Sequence, residues 1–408
     1  MADADILIVG GGAAGAAAAS TLRAEGFDGS VVLVGREPDP PYERPPASKS
    51  YLQGRSSKED AYLHPASFWD EHGIDLRTRT SVMKLDPGER VATLSTKEEV
   101  SFGKALLATG ANVRRLRVDG ATLDGIHYLR ALANADAIRR DTESADRVVL
   151  IGGSYIACEV AASLTTLGKS CTIVAMEDEP LSTGFGTAAG RFFRGVLEAH
   201  GVTLATGETL TRFEGPDEGR VERVVCESGR EIDCDLVVMG TGAVPDVMLA
   251  RSAGLEFGDS GGVRCDATLR SSAEHVWAAG DMCEYESQVH GRRLRVEHFE
   301  VATAEGAHAA RAMLGSSDPY VEVPYFWSDL ADWTSLEYVG PATAWDREVV
   351  RGSMDDGRFT IFYLDGGRVA GALTVGRSSD LDLARRLMTS GQDVGERADA
   401  LADPDGEL

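Results

Sequence analysis

The chain lacks any apolar run approaching the roughly 20 residues that a bilayer-spanning helix needs. Its first residues, MADADILIVGGG, enter a strand pattern directly, without the charged and apolar regions of a secretory leader. Both absences lead to the expectation of a cytoplasmic protein with no membrane partner. Basic residues are in deficit, since 41 Lys plus Arg stand against 65 Asp plus Glu, a net charge of −24. Such a surface repels phosphate backbones, which removes nucleic acid and anionic membranes from the expected partners. Within the basic minority Arg far outnumbers Lys. Paired cysteines are missing too. Cys158, Cys171, Cys226, Cys234, Cys265 and Cys283 include no C-x-x-C or C-x4-C spacing. The usual signatures of a metal site, an iron–sulfur cluster or a redox dithiol are therefore absent, and buried free thiols are expected.

What is present is a repeated plan. At 408 residues the chain exceeds one hydrophobic core, and 43% hydrophobic with 26% charged residues suits a globular protein of two or three domains. Residues 5–34 run from an apolar stretch, DILIVG, through a glycine turn, GGGAAG, and an alanine-rich helix pattern, AAAASTLRAEG, to SVVLVG. That succession predicts a βαβ unit. Residues 147–176 repeat it with RVVLIG, GSYIACEVAASLTTLG and CTIVAM. RVATLSTKEEVSFGKALLATG (90–110) and GRVERVVCESGREIDCDLVVMGTG (219–242) each alternate and then turn apolar. Each predicts a hairpin feeding a buried parallel strand that ends at a glycine. From Val323 short strand patterns and one helix, SSDLDLARRLM, predict a small α+β domain, with ADALADPDGEL as a frayed acidic tail. The expected fold is α/β: two Rossmann-like three-layer dinucleotide-binding domains, residues 1–118 with 244–322 and residues 119–243, and an α+β domain over 323–408.

Gly10, Gly12 and Gly15 fit G-x-G-x-x-G after a strand and at the start of a helix. Gly10 suits the tight turn, Gly12 the approach of a pyrophosphate, and Gly15 the packing of helix on strand. Glu37 stands where a carboxylate would meet ribose hydroxyls, with Arg36 beside it. The second turn reads Gly152-Gly153-Ser154-Tyr155-Ile156-Ala157, with Ser and Ala, two small residues, where glycines would stand. Arg44 and Lys49 follow the first ribose position in a proline-rich loop, and Arg44 has the fork that grips phosphate.

Within that loop, PYERPPASK resembles the P-Y-D-R-P-P-L-S-K segment of the FAD-containing, NADH-dependent ferredoxin reductases of oxygenase systems. That family includes putidaredoxin and rubredoxin reductases and the apoptosis-inducing-factor-like proteins. LLATG (106–110) resembles its A-T-G motif and VWAAGD (276–281) its motif ending in a flavin-binding Asp. RVEHFEVATAEG (295–306) is similar to the R-x-E-x-W segment beside the flavin ring, and PYFWSDLADW (324–333) to P-W-F-W-S-D. Phe299 in place of Trp, and SDLAD in place of S-D-Q, depart from the pattern at the cofactor edge.

The resemblance implies FAD contacts at Gly10, Gly12, Gly15, Glu37, Arg44, Lys49, Val82, Ala108, Thr109, Gly110, Arg130, Gly242, Gly280 and Asp281. Glu297, His298 and Trp327 would lie near the ring system or the nicotinamide, although Trp327 and Trp333 also suit packing between domains. Asp281 lies in an apolar run, where a ribityl hydroxyl would supply the partner that a buried carboxylate needs. NADH would occupy Gly152, Gly153, Ser154, Tyr155 and Ile156. A simple count places its ribose acid at Ala175, and the family's later position places it at Glu177. No Lys or Arg lies between Thr172 and Phe185 to hold a 2′-phosphate, which favours NADH over NADPH. Glu159, in the first turn of the second helix, is accounted for by the helix dipole alone. The resemblance also implies an ion pair of Glu159 with Lys49 at the flavin, the two expected catalytic residues. The implied activity is hydride transfer from NADH to flavin and onward to a small redox protein, ferredoxin or rubredoxin. A reductase this acidic needs a local basic patch for an acidic partner, and HGRRLR (290–295) or RFFR (191–194) would supply it. Alternatives are an apoptosis-inducing-factor-like NADH oxidase or redox sensor, and a non-enzymatic flavin scaffold. A homodimer is compatible with all three.

Overall fold

The computed structural model describes residues 2–216 and 219–403. The first apolar stretch forms the strand Ala2–Val9, parallel to Val31–Val34 on one side and Glu99–Leu107 on the other. From Ile6 to Val9 it is buried throughout, as a parallel strand covered on both faces must be. Its sheet has the order Ile74–Arg77, Val31–Val34, Ala2–Val9, Glu99–Leu107, Val91–Leu94, Val82–Asp86, with Val276–Ala278 also parallel to Glu99–Leu107. The hairpin predicted within residues 90–110 is the antiparallel pair Val91–Leu94 and Glu99–Leu107. Against this sheet the helix Ala13–Ala24 packs on the helix Phe299–Met313. A Cβ on Gly306 would meet the Ala14 carbonyl oxygen at 2.1 Å, so only glycine there allows so close an approach.

The chain leaves the first sheet after Gly110 and returns to it at Val276–Ala278. In between it builds a second parallel sheet, Thr203–Ala205, Ser170–Val174, Arg147–Ile151, Leu236–Met239, Ile126–Tyr128. The outgoing segment Ala111–Val113 and the returning segment Ala243–Pro245 pair with each other as antiparallel strands. The remaining chain forms a five-stranded antiparallel sheet, Tyr325–Leu330, Thr334–Val339, Arg368–Val375, Arg358–Asp365, Arg347–Ser353, backed by the helix Asp380–Ser390.

One expectation is corrected. Residues 398–402 do not fray: they form the helix Ala398–Ala402, in which Ala398 and Leu401 are buried. The buried Arg351 guanidinium donates from Nε to the Leu401 carbonyl at 2.6 Å and anchors it. The rest of the expected tail, residues 404–408, lies outside the described residues. All six cysteines are free and buried. Among the described residues no helix is long and apolar enough to cross a membrane.

Candidate functional site

Both glycine turns open on one cavity of about 900 Å3. In the first, Gly10 has φ +124°, and a Cβ there would meet the Ala108 carbonyl oxygen at 2.0 Å. A Cβ on Gly15 would lie 1.9 Å from the Gly10 carbonyl oxygen. Gly12 has nothing within 4 Å of its Cβ direction and caps a helix with no side-chain cap. No side chain caps this helix end, and Gly12, Ala13 and Ala14 line the cavity, the arrangement that receives a phosphate.

The second turn solves its packing differently. Gly152 keeps φ +111° against the Gly240 carbonyl oxygen. Ala157 fills the place of the third glycine, and the chain opposite it is Gly240, where a Cβ would come within 2.9 Å of the Ala157 methyl. The small residue has moved across the interface, from the helix to the end of the facing strand. Ser154 donates to the Gly240 carbonyl at 3.2 Å and leaves its own helix end uncapped.

Near the first turn the charges alternate. Glu37 accepts from Arg44 at 2.6 Å and from the Tyr42 hydroxyl. Burial acts to raise the Glu37 carboxyl, but the Arg44 charge and these two hydrogen bonds outweigh it and hold it below its ordinary range. Arg44 also donates to the Arg130 carbonyl at 2.7 Å, and Arg130 pairs with Asp281 at 2.6 Å. Asp281 thus has a partner within its own chain, in addition to any hydroxyl that a bound ribityl chain would offer. Arg36 is committed elsewhere, to Asp246 and the Asn112 side chain, both at 2.9 Å.

Where the two turns converge, Lys49 and Glu159 form a buried ion pair of 2.7 Å. Ser48 and Ser328 each donate to the Glu159 carboxylate at 2.5 Å, so three donors from two segments, the Ser48–Lys49 loop and the strand Tyr325–Leu330, fix it. The Lys49 ammonium lies 4.9 Å from the Trp327 ring centroid. The His298 ring lies 4.3 Å from Phe326, tilted 42° to it, and Phe326 also meets Tyr155 at 5.0 Å. Burial presses the His298 imidazole down to about 4, and its Nδ1 has no partner. Glu297 is held by Arg295 at 2.5 Å.

Most of the sequence-predicted residues line this cavity, including Val82, Ala108, Thr109, Gly110, Ile156, Gly242 and Gly280. Gly15, Gly152, Gly153 and Glu177 do not. Gly15 and Gly152 act in packing. Glu177 stands over the second turn, its Oε2 3.3 Å from where a Gly153 Cβ would be, beside the Ala175 methyl at 3.1 Å. Trp333 stacks on His200 at 4.2 Å, a packing role.

Sequence reasoning missed several residues. Ser48 and Ser328 fall within the segments PYERPPASK and PYFWSD but carry no implied role there, and Gly240 was readable only as a strand end. Arg194, expected only as part of a partner-facing basic patch, instead folds back on the acidic loop, donating to Glu179 and to the Asp178 carbonyl, both at 2.5 Å. The arginines of both expected patches have partners within the chain, though Arg191 and Arg292 stay exposed. Arg191 lies 3.8 Å from Glu179, Arg292 donates to the Pro341 carbonyl, and Arg293 donates to the Cys265 carbonyl and lies 3.8 Å from Glu286.

Residues 4–306 match the pyridine nucleotide-disulphide oxidoreductase family and residues 325–408 the reductase C-terminal family. The chain is 36% identical over 405 residues to the 5,5′-dehydrodivanillate O-demethylase ferredoxin reductase subunit of Sphingobium sp., covering 99% of this chain and 97% of that protein. It is 34% identical to rhodocoxin reductase of Rhodococcus erythropolis, over 94% of this chain and 89% of that one. Among solved structures, a ferredoxin reductase from Rhodopseudomonas palustris superposes with TM-score 0.93 at 30% identity, over 98% of both chains. The reductase–putidaredoxin covalent complex matches with TM-score 0.92 at 32% identity, over 99% of this chain and 97% of that one. With two glycine turns sharing one cavity and a match spanning both sheets, the chain belongs to the pyridine nucleotide-disulphide oxidoreductase family.

Proposed function

We propose that the protein is an FAD-containing reductase that takes electrons from NADH and passes them to a small redox protein, a ferredoxin or rubredoxin. The observation that carries this reading is the convergence of both glycine turns on one cavity, with the Lys49–Glu159 pair where they meet. The residues fit a flavin dinucleotide: an uncapped helix end behind Gly12, an unpartnered buried Nδ1 on His298, and Arg44 and Arg130 on the wall. The relatives named above are reductases of ferredoxin, rhodocoxin and putidaredoxin. We place its action in the cytoplasm, where six reduced thiols persist.

Bound flavin supplies the hydride acceptor and the means of releasing electrons singly. The protein supplies place and charge. The helix end at Gly12 receives the pyrophosphate, and Glu37, on exchange of its internal donors, receives the adenosine ribose. Lys49, fixed by Glu159 and the Trp327 ring, would set a positive charge beside a bound flavin and so favour its negatively charged form. The second turn would hold the NADH pyrophosphate and so direct the nicotinamide toward the flavin, and Glu177 beside Gly153 would accept the ribose hydroxyls and repel a 2′-phosphate. No thiol takes part, since none of the six cysteines lines the cavity.

Anaerobic titration of the purified protein tests this reading. NADH is expected to bleach a flavin absorbance band fully, and NADPH far less readily. A preparation without that band, or ferredoxin reduced no faster than ferricyanide, would overturn it.

A further inference from the structure

Glu305 is a carboxyl group with no contact with solvent, on the helix Phe299–Met313 and behind the cavity wall. Its Oε2 accepts the Gly280 backbone N–H at 2.7 Å, while Oε1 has no partner. Gly280 lines the cavity with φ +76° and carries Asp281 on its C-terminal side. No cation pairs with Glu305 among the described residues. The groups that face it are Asp281, Cys283 and Tyr285 from the adjoining segment and Tyr320 from beyond the helix, all neutral or negative. His308, one turn along the same helix, lies against Tyr320. The Tyr285 hydroxyl is likewise buried without a partner. The cation on that side, Arg130, is already paired with Asp281 at 2.6 Å, and an ionised carboxylate at Glu305, with no cation of its own, is far more costly than a neutral acid.

We propose that Glu305 is a positioning residue of the flavin site, an uncharged carboxylic acid whose oxygen holds the Gly280 amide and, through it, Asp281 at the cavity wall. The proposal rests on the reading of the cavity as a flavin site. Desolvation is the largest influence on this carboxyl and raises it well above its ordinary 4.5, with the Asp281 charge acting the same way against the Gly280 hydrogen bond. The linkage follows in sign. A group whose folded-state value is raised adds stability that is complete below 4.5 and lost as pH rises toward the folded-state value. Glutamine keeps the carbonyl acceptor without needing a proton.

Four measurements on the full-length holoprotein test this. Glu305→Gln is expected to retain FAD and to remove a protonated-carboxyl infrared band that the wild type shows at neutral pH. The wild-type melting temperature should fall with rising pH more steeply than that of the Gln variant, so that the gap widens towards alkaline pH. The flavin midpoint potential of Glu305→Gln should differ from wild type by less than a tenfold change in equilibrium constant, about 30 mV for a two-electron couple. Glu305→Leu should release FAD at least about tenfold faster, through the Gly280 N–H left without its acceptor. Absence of the infrared band, with parallel melting curves and a larger positive potential shift in Glu305→Gln, would make the group a carboxylate and overturn the proposal. Unchanged FAD release from Glu305→Leu would remove the positioning role. Should the Leu variant not fold, Glu305→Met carries that arm. A wild type that binds no flavin defeats the reading of the cavity, and the infrared and melting arms still report the protonation of Glu305.

Discussion

Glu159 shows how little of a residue's role is set by its place in a motif. At the start of a helix it would be stabilised by the backbone dipole alone, by about 0.3–1 kcal/mol. Buried and holding Lys49, Ser48 and Ser328 together, it unites the first unit's loop, the second unit's helix and the C-terminal sheet. Removing one member of a buried pair leaves an uncompensated charge, a loss of about 3–5 kcal/mol. Glu159→Ala is therefore expected to lower unfolding stability by roughly that amount and flavin reduction by NADH by about 10-fold to 100-fold. Stopped-flow reduction and denaturant unfolding read the two effects separately. In the sequence, Glu159 lies more than a hundred residues from the Ser48–Lys49 loop and from Ser328, so periodicity says nothing of their meeting. Resemblance found Lys49 and Glu159, and only the three-dimensional structure gave the two serines a role.

Elements were legible where local chemistry decides them. The glycine turns, the buried parallel strands and the hairpin after Arg90 follow from backbone sterics and side-chain period, and they stand where the sequence puts them. What escaped was partnership between elements: Gly240 against Ala157, Arg130 against Asp281, Arg351 against the last helix. Gly240→Ala is expected to push the second turn off its strand and weaken NADH binding several-fold, with flavin content unchanged, as judged by the KM for NADH and the visible spectrum. In the C-terminal unit, Asp380 receives Arg377 at 2.7 Å, Thr360 at 2.8 Å and the buried Arg351 at 3.3 Å. Burial acts to raise its carboxyl, but the Arg377 and Thr360 hydrogen bonds and the two guanidinium charges outweigh it and lower it. Its stabilising effect is thus present above the ordinary 3.8 and lost as pH falls through the lower folded-state value. Asp380→Asn should flatten that acidic limb in a series of melting curves and, by leaving Arg351 unpaired, lower stability by about 3–5 kcal/mol at neutral pH.

At the scale of the whole molecule, net charge and its distribution govern encounter. With −24 overall, and the arginines of residues 191–194 and 290–295 largely engaged internally, an acidic ferredoxin approaches against a net repulsion. Its reduction rate is expected to rise with ionic strength over the range in which the screening length shrinks below about 10 Å, as a salt series of cytochrome-coupled assays would read. The discontinuous path through the first sheet also sets an order of events during synthesis. Every strand of the second parallel sheet lies between Ile126 and Met239, so that sheet can close while the first still lacks Val276–Ala278. The short pairing of Ala111–Val113 with Ala243–Pro245 then fastens the neck of a finished insert. The unit that begins first on the ribosome is completed after the one placed inside it.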